Sequence, residues 1–141
     1  MNNILVDTGF WYALYTERDE YYIKANELVE YLELGNVLIP YPSLYETINT
    51  RFSKNTKGLC DFKSRLEQNN FELLEDEEYK SDAIQLTFES SLYMKKPISL
   101  VDMVIRQMLA DDKLNINFLI TFNPEDFIDV CIQHRIKIIS E

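Results

Sequence analysis

Histidine occurs once in this chain, as His134, and cysteine twice, as Cys60 and Cys131. The two cysteines have no metal-ligand spacing and read as buried or reduced thiols, which fits a cytoplasmic protein. His134 lies near the end, in CIQHRIKI, and reads as a structural or surface residue. Basic residues are few as well: 14 Lys and Arg stand against 24 Asp and Glu, a formal charge of −10. Non-specific coating of nucleic acid is thereby disfavoured, because neutralising phosphates needs Lys and Arg. No apolar run approaches the ~18 residues of a membrane span. The opening MNNILVD has no basic start and meets an acid at position 7, so it does not read as a secretory signal. Internal repeats, low-complexity tracts and linkers are absent too. What remains is 141 residues, 46% of them hydrophobic, enough for one domain spanning 1–141 with a real core.

The apolar pattern predicts strands alternating with helices. A buried strand over 3–6 ends in Asp7-Thr8-Gly9, read as a turn, and a short helix follows over 11–15. Helical spacing recurs over 20–34 and stops at Gly35. A strand over 37–39 leads to Pro40 and Pro42. Ser43 then serves as a cap, with Glu46 three residues on, for a helix reaching about Phe52. Further helices are expected over 58–68, 76–93 and 100–112, the last capped by Ser99, with strands over 71–74, 118–121 and 136–139. Tyr79, Ala83, Leu86, Phe88 and Leu92 carry the helical periodicity of 76–93. Such alternation indicates a parallel sheet covered on both faces.

Charge is uneven along the chain. RFSKNTKGLCDFKSR, from Arg51 to Arg65, holds five basic residues and one acid, and the stretch from Glu67 to Asp82 reverses the sign. Solvated helix faces account for the acidic run. The basic run, close after Glu46, also reads as an arm that holds RNA phosphates through Arg51, Lys54 and Lys57. Five rings, Trp11, Tyr12, Tyr15, Tyr21 and Tyr22, crowd the segment before it, and an interface competes with core packing to explain them.

Chemistry concentrates in four dispersed places: Asp7 in ILVDTGFWYAL, Glu46 in YPSLYETI, Asp102 in ISLVDMVIRQML, and Asn123 with Asp126 in FLITFNPEDF. In open α/β sheets the ligand edge lies outside the carboxyl ends of the strands. Asp7 and Asn123 are expected just past such ends, and Glu46 and Asp102 in the first turns of helices entering from the same edge. An acid in a helix's first turn is favoured by about 0.3–1 kcal/mol without any further role. Several carboxylates brought together repel one another, however, unless a cation is present. Mg²⁺ or Mn²⁺ takes oxygen ligands, acidifies a bound water and offsets phosphate charge, which points to phosphodiester hydrolysis with no Ser–His pair.

These four motifs, in this order and over nearly the whole chain, resemble the PIN domain family of metal-dependent ribonucleases, particularly toxins of the VapC type. The resemblance implies a three-layer α/β/α fold with a central, mainly parallel sheet of four or five strands. It matches Asp7, Glu46 and Asp102 to the family's metal-holding acids, and Ser99 and Asp102 keep the family's spacing. Where the family most often has a further acid, this chain has Asn123, an uncharged oxygen donor, so Asp126 is the alternative fourth group and a second metal ion is put in question. Thr8, Ser99 and Thr121 are expected as hydroxyls that orient ligands or water. The resemblance further implies a homodimer and, for a toxin, an antitoxin covering the acidic groove. The expected function is a Mg²⁺- or Mn²⁺-dependent endoribonuclease. The alternative is a catalytically degenerate PIN-like scaffold that binds RNA or protein. A phosphatase has less support, since no Asp-x-Asp follows the first strand.

Overall fold

The computed structural model describes residues 1–140. Five strands, β1 (Asn2–Val6), β2 (Gly35–Pro40), β3 (Phe71–Leu74), β4 (Phe118–Ile120) and β5 (Lys137–Ile139), form one sheet in the order β3-β2-β1-β4-β5. All four pairings are parallel. The chain builds outward from β1 in one direction through β2 and β3, then returns to the other side of β1 for β4 and β5. The gap between β1 and β4 is therefore the switch point, where sheets of this kind take their ligands.

Side chains of the strands alternate between two cores, as a period of two requires. Ile4, Val6, Val37, Ile39 and Ile120 pack with Phe10, Trp11, Ala25, Leu28, Phe52 and Phe62. These come from β1, β2, β4 and the helices α1 (Thr8–Tyr15), α2 (Tyr22–Leu28), α4 (Thr50–Ser53) and α5 (Thr56–Leu66). Leu5, Leu38 and Leu119 point the other way, into a core with Ala83, Met103, Val104, Ile105, Met108, Val130 and Cys131. This second layer is α6 (Lys80–Leu92), α7 (Leu100–Ala110) and α8 (Ile128–Gln133). Burial on both faces explains why the strands read as short continuous apolar runs. Each fully buried large side chain contributes about 1.5–3 kcal/mol of transfer free energy. Among the described residues no helix is long and apolar enough to cross a membrane.

Several local expectations are corrected. The Asp7-Thr8-Gly9 turn is absent: β1 passes directly into α1, and the Asp7 side chain caps it by accepting from the Thr8 N–H. The 20–34 helix becomes α2 followed by a 3-10 turn over Val29–Leu34. Ser43 is no cap. The helix α3 (Tyr41–Thr47) starts straight from β2 with Pro42 in its first turn, and Ser43 is buried with its hydroxyl unpartnered. That helix stops at Ile48, whose backbone leaves the helical region, and Asn49 recaps the chain by accepting from the Phe52 N–H. Helix α8 was not foreseen. Within α6 only Ala83 and Ser90 are buried, whereas Leu86, Phe88 and Leu92 face solvent, so helical periodicity there did not mark the core.

The aromatic segment divides by function. Trp11 is fully buried, and Tyr15 packs between Phe52 and Phe62. Tyr21 stacks on Phe122 at a centroid distance of 4.5 Å. Tyr12 and Tyr22 are left half-buried on a cleft described below.

Candidate functional site

Asp7 sits at the carboxyl end of β1, only 6% exposed. Its Oδ2 accepts from the Thr121 hydroxyl at 2.9 Å, and its Oδ1 accepts from the Thr8 N–H at 2.7 Å. Thr121 follows β4, so this bond spans the switch point. The same Thr121 hydroxyl accepts from the Asn123 N–H at 3.0 Å, tying the last motif to the first acid. Burial raises the Asp7 pKa. The two hydrogen bonds oppose that rise, and the charges of Glu46 and Asp126 add to it.

Glu46 reaches the site from the opposite end of its helix to the one expected. It lies in the last turn of α3, exposed, with its Oε1 accepting from the Thr8 hydroxyl at 3.0 Å. A carboxylate at a helix C-terminus meets the unfavourable end of the backbone dipole. Helix capping therefore does not account for Glu46. Asp102 does lie in the first turn of α7, and Ser99 caps that helix by accepting from the Asp102 N–H at 3.1 Å. Asp102 is half-buried. Burial, then the charges of Asp7, Asp126 and Glu46, push its pKa up to about 6, against a lowering contribution from Ser99.

The structure thus brings Glu46 and Asp126 within electrostatic reach of both Asp7 and Asp102, and those two within reach of each other. Asn123 joins through its backbone, and Asp126, on a 3-10 turn over Pro124–Asp126, supplies the fourth charge. This set of oxygen donors suits a hard divalent cation. Among the described residues, however, no three His, Cys, Asp or Glu side chains already stand in an arrangement that could hold a metal ion. The donor chemistry fits; the side-chain positions are not those of a closed cage.

Arg106 is a residue that sequence reasoning missed. Its guanidinium donates to the Asp126 carbonyl at 2.8 Å and grips Asp129 with two bonds of 2.8 and 2.7 Å. This clamp holds the turn that carries Asp126 and lowers the Asp129 pKa. Arg106 follows Asp102 by four residues, one turn along the same helix face, and that spacing was the available signal. His134 lies 3.5 Å from Asp112 and takes no part in the acidic group. Cys60 and Cys131 are free, and burial pushes the Cys131 thiol up to about 11, which makes it unreactive.

No protein-family model matches the chain, and no curated protein matches it. Among solved structures, the crystal structure of VapBC2 from Rickettsia felis bound to a DNA fragment from its promoter is similar, with a TM-score of 0.61 and 14% identity over 97% of each chain. At that identity the likeness establishes the fold alone: this chain has a PIN-like α/β/α fold built on an all-parallel five-stranded sheet.

Proposed function

We propose that the chain is a metal-dependent endoribonuclease. The observation that carries this reading is the gathering of Glu46, Asp102 and Asp126 around Asp7 at the switch point, where burial first and their mutual charge second raise the proton affinity of Asp7 and Asp102. Keeping such groups ionised together is unfavourable without a cation. Asp7, Glu46 and Asp102 would hold Mg²⁺ or Mn²⁺, with Asp126 or Asn123 assisting. A bound ion of this kind would lower the pKa of water and offset charge on the scissile phosphate. Thr121 and Thr8 fix the Asp7 carboxylate, Thr8 steadies Glu46, Ser99 sets the start of the Asp102 helix, and Arg106 holds the Asp126 turn. The exposure of Glu46 and Asp126 leaves their side chains room to adjust around an ion.

The structural neighbour is a toxin–antitoxin complex, and the proposal extends to its biology: a toxin of such a pair, with an antitoxin protein as partner. A second copy of the chain would cover the exposed apolar side chains Phe88, Leu92, Tyr93 and Met94; sedimentation at the mass of a monomer would remove that part of the reading. The nuclease itself is tested with a mixed single-stranded RNA pool, incubated with Mn²⁺ or with EDTA, beside Asp7→Asn. Cleavage that needs the cation and disappears in the variant is the expected result. Asn123 and the open donor arrangement favour a second reading, a scaffold that binds RNA or protein without cutting it. That scaffold would bind equally well in EDTA and tolerate Asp7→Asn.

A further inference from the structure

A cleft of 960 Å³ lies beside the carboxylates and not over them, between the C-terminal half of α1, α2 and the α4–α5 segment. Its lining carries Arg18, Arg51, Lys54, Lys57 and Arg65 against two acids, Glu17 and Asp61. Five cations against two acids is a local surplus of three in a chain of formal charge −10. Among the described residues none of the five forms an ion pair. Four of them come from the basic run, but Arg18 stands on the turn after α1, so the cleft has a second basic wall that sequence order hid. Half-buried Tyr12 and Tyr22 supply aromatic surface. Its floor is built: Tyr15 accepts from Arg65 Nε at 3.1 Å, and its carbonyl accepts from the Asn55 amide at 3.0 Å.

Helix α1 links the cleft to the acidic edge. Thr8, bonded to Glu46, is followed one turn along the same face of α1 by Tyr12, and the Arg51 guanidinium lies 5.8 Å from that ring's centroid. The cleft's lining thus begins, at Tyr12, one turn of α1 beyond the threonine that holds Glu46.

We propose, resting on the ribonuclease reading, that this cleft is the binding groove for the single-stranded RNA flanking the cleaved phosphate. Phosphates are held by Arg51 and Lys54 on one wall and Arg18 on the other, and bases lie against Tyr12 and Tyr22. Carboxylates repel the polyanion they are to act on, so its hold must come from cations at the side. Cations interleaved with aromatic faces are what single strands require. An acidic peptide would satisfy the cations but has no reason to continue to the carboxylates, whereas a strand crossing them meets Arg51 next.

The experiment is fluorescence anisotropy of a labelled 12-nucleotide oligouridine with the full chain in EDTA, titrated with salt. Wild-type protein is compared with Arg51→Gln/Lys54→Gln, Arg18→Gln, Arg51→Lys, and a distant control, Lys80→Gln. The double variant should bind about 10-fold or more weakly and show a shallower salt dependence, by about 0.7 per lost phosphate contact. Arg18→Gln should weaken binding severalfold, and Arg51→Lys and the control should stay near wild type. Unchanged affinity in Arg51→Gln/Lys54→Gln and Arg18→Gln, or an equal loss in the control, overturns the proposal, as does cation-dependent capture of oligoglutamate with no capture of the oligouridine. Cleavage lost with Asp7→Asn but untouched by the cleft variants rejects the groove and leaves the nuclease standing. Cleft-dependent binding without any Mn²⁺-dependent cleavage retains the groove and rejects the nuclease.

Discussion

At the carboxyl ends of β1 and β4 the acids are held from behind, whereas the cations of the neighbouring cleft stand on exposed helix surfaces. Asp7 is buried and receives two hydrogen bonds, one of them across the sheet from Thr121. Arg51, Lys54 and Lys57 are exposed and unpaired among the described residues. The first arrangement anchors one buried acid beside others that can adjust, which suits chemistry. The second spreads attraction over mobile side chains, which suits affinity that adds up residue by residue and weakens with salt. The two patches should therefore respond to neutralisation in opposite ways.

The largest effect is expected from Asp102→Asn. Cleavage in Mn²⁺ should fall by roughly 100-fold or more, the scale on which charged catalytic groups act, while oligouridine binding in EDTA is unchanged or tighter because one repelling charge has gone. Full activity in this variant would end the comparison. Thr121→Val comes next, as a substitution that keeps shape and removes the hydroxyl serving both Asp7 and Asn123. Loss of a group that orients a ligand typically costs about 10–100-fold in metal affinity, so Mn²⁺ binding followed by calorimetry should weaken on that scale. Binding of RNA in EDTA should not change.

The smallest effect concerns stability. The Asp102 carboxyl, at about 6, keeps its proton in the folded chain at pH values where the unfolded chain has released it. Between an ordinary carboxylate pKa near ~4 and that value, the folded state binds more protons, so stability falls as pH rises through the window. Solvent screening of this half-exposed group limits the loss to on the order of 1 kcal/mol. Thermal unfolding in EDTA from pH 4 to pH 7 should show wild-type protein losing stability relative to Asp102→Asn. A constant difference across that range would mean that the repulsion is not there.

What was legible in the sequence was local. Apolar runs marked the inner strands β1, β2 and β4 because both sheet faces are buried there, and Ser99 announced the start of α7 because a cap and its partner lie three residues apart. The order of the four acidic motifs was enough to expect a PIN-like fold. Decisions involving distant residues were made only by tertiary structure. Helix α3 starting directly from β2 moved Glu46 to the far end of its helix, and the strand order placed Thr121 against Asp7, 114 positions away. Arg106 could bring Asp126 into the acidic group only because α7 packs beside the 124–126 turn. Arg18 became a wall of the basic cleft because α1 and α5 share one face of the sheet. Periodicity and capping depend on neighbours a turn or a pleat apart, which the sequence displays; convergence depends on which strands lie side by side, which is settled only when both cores pack.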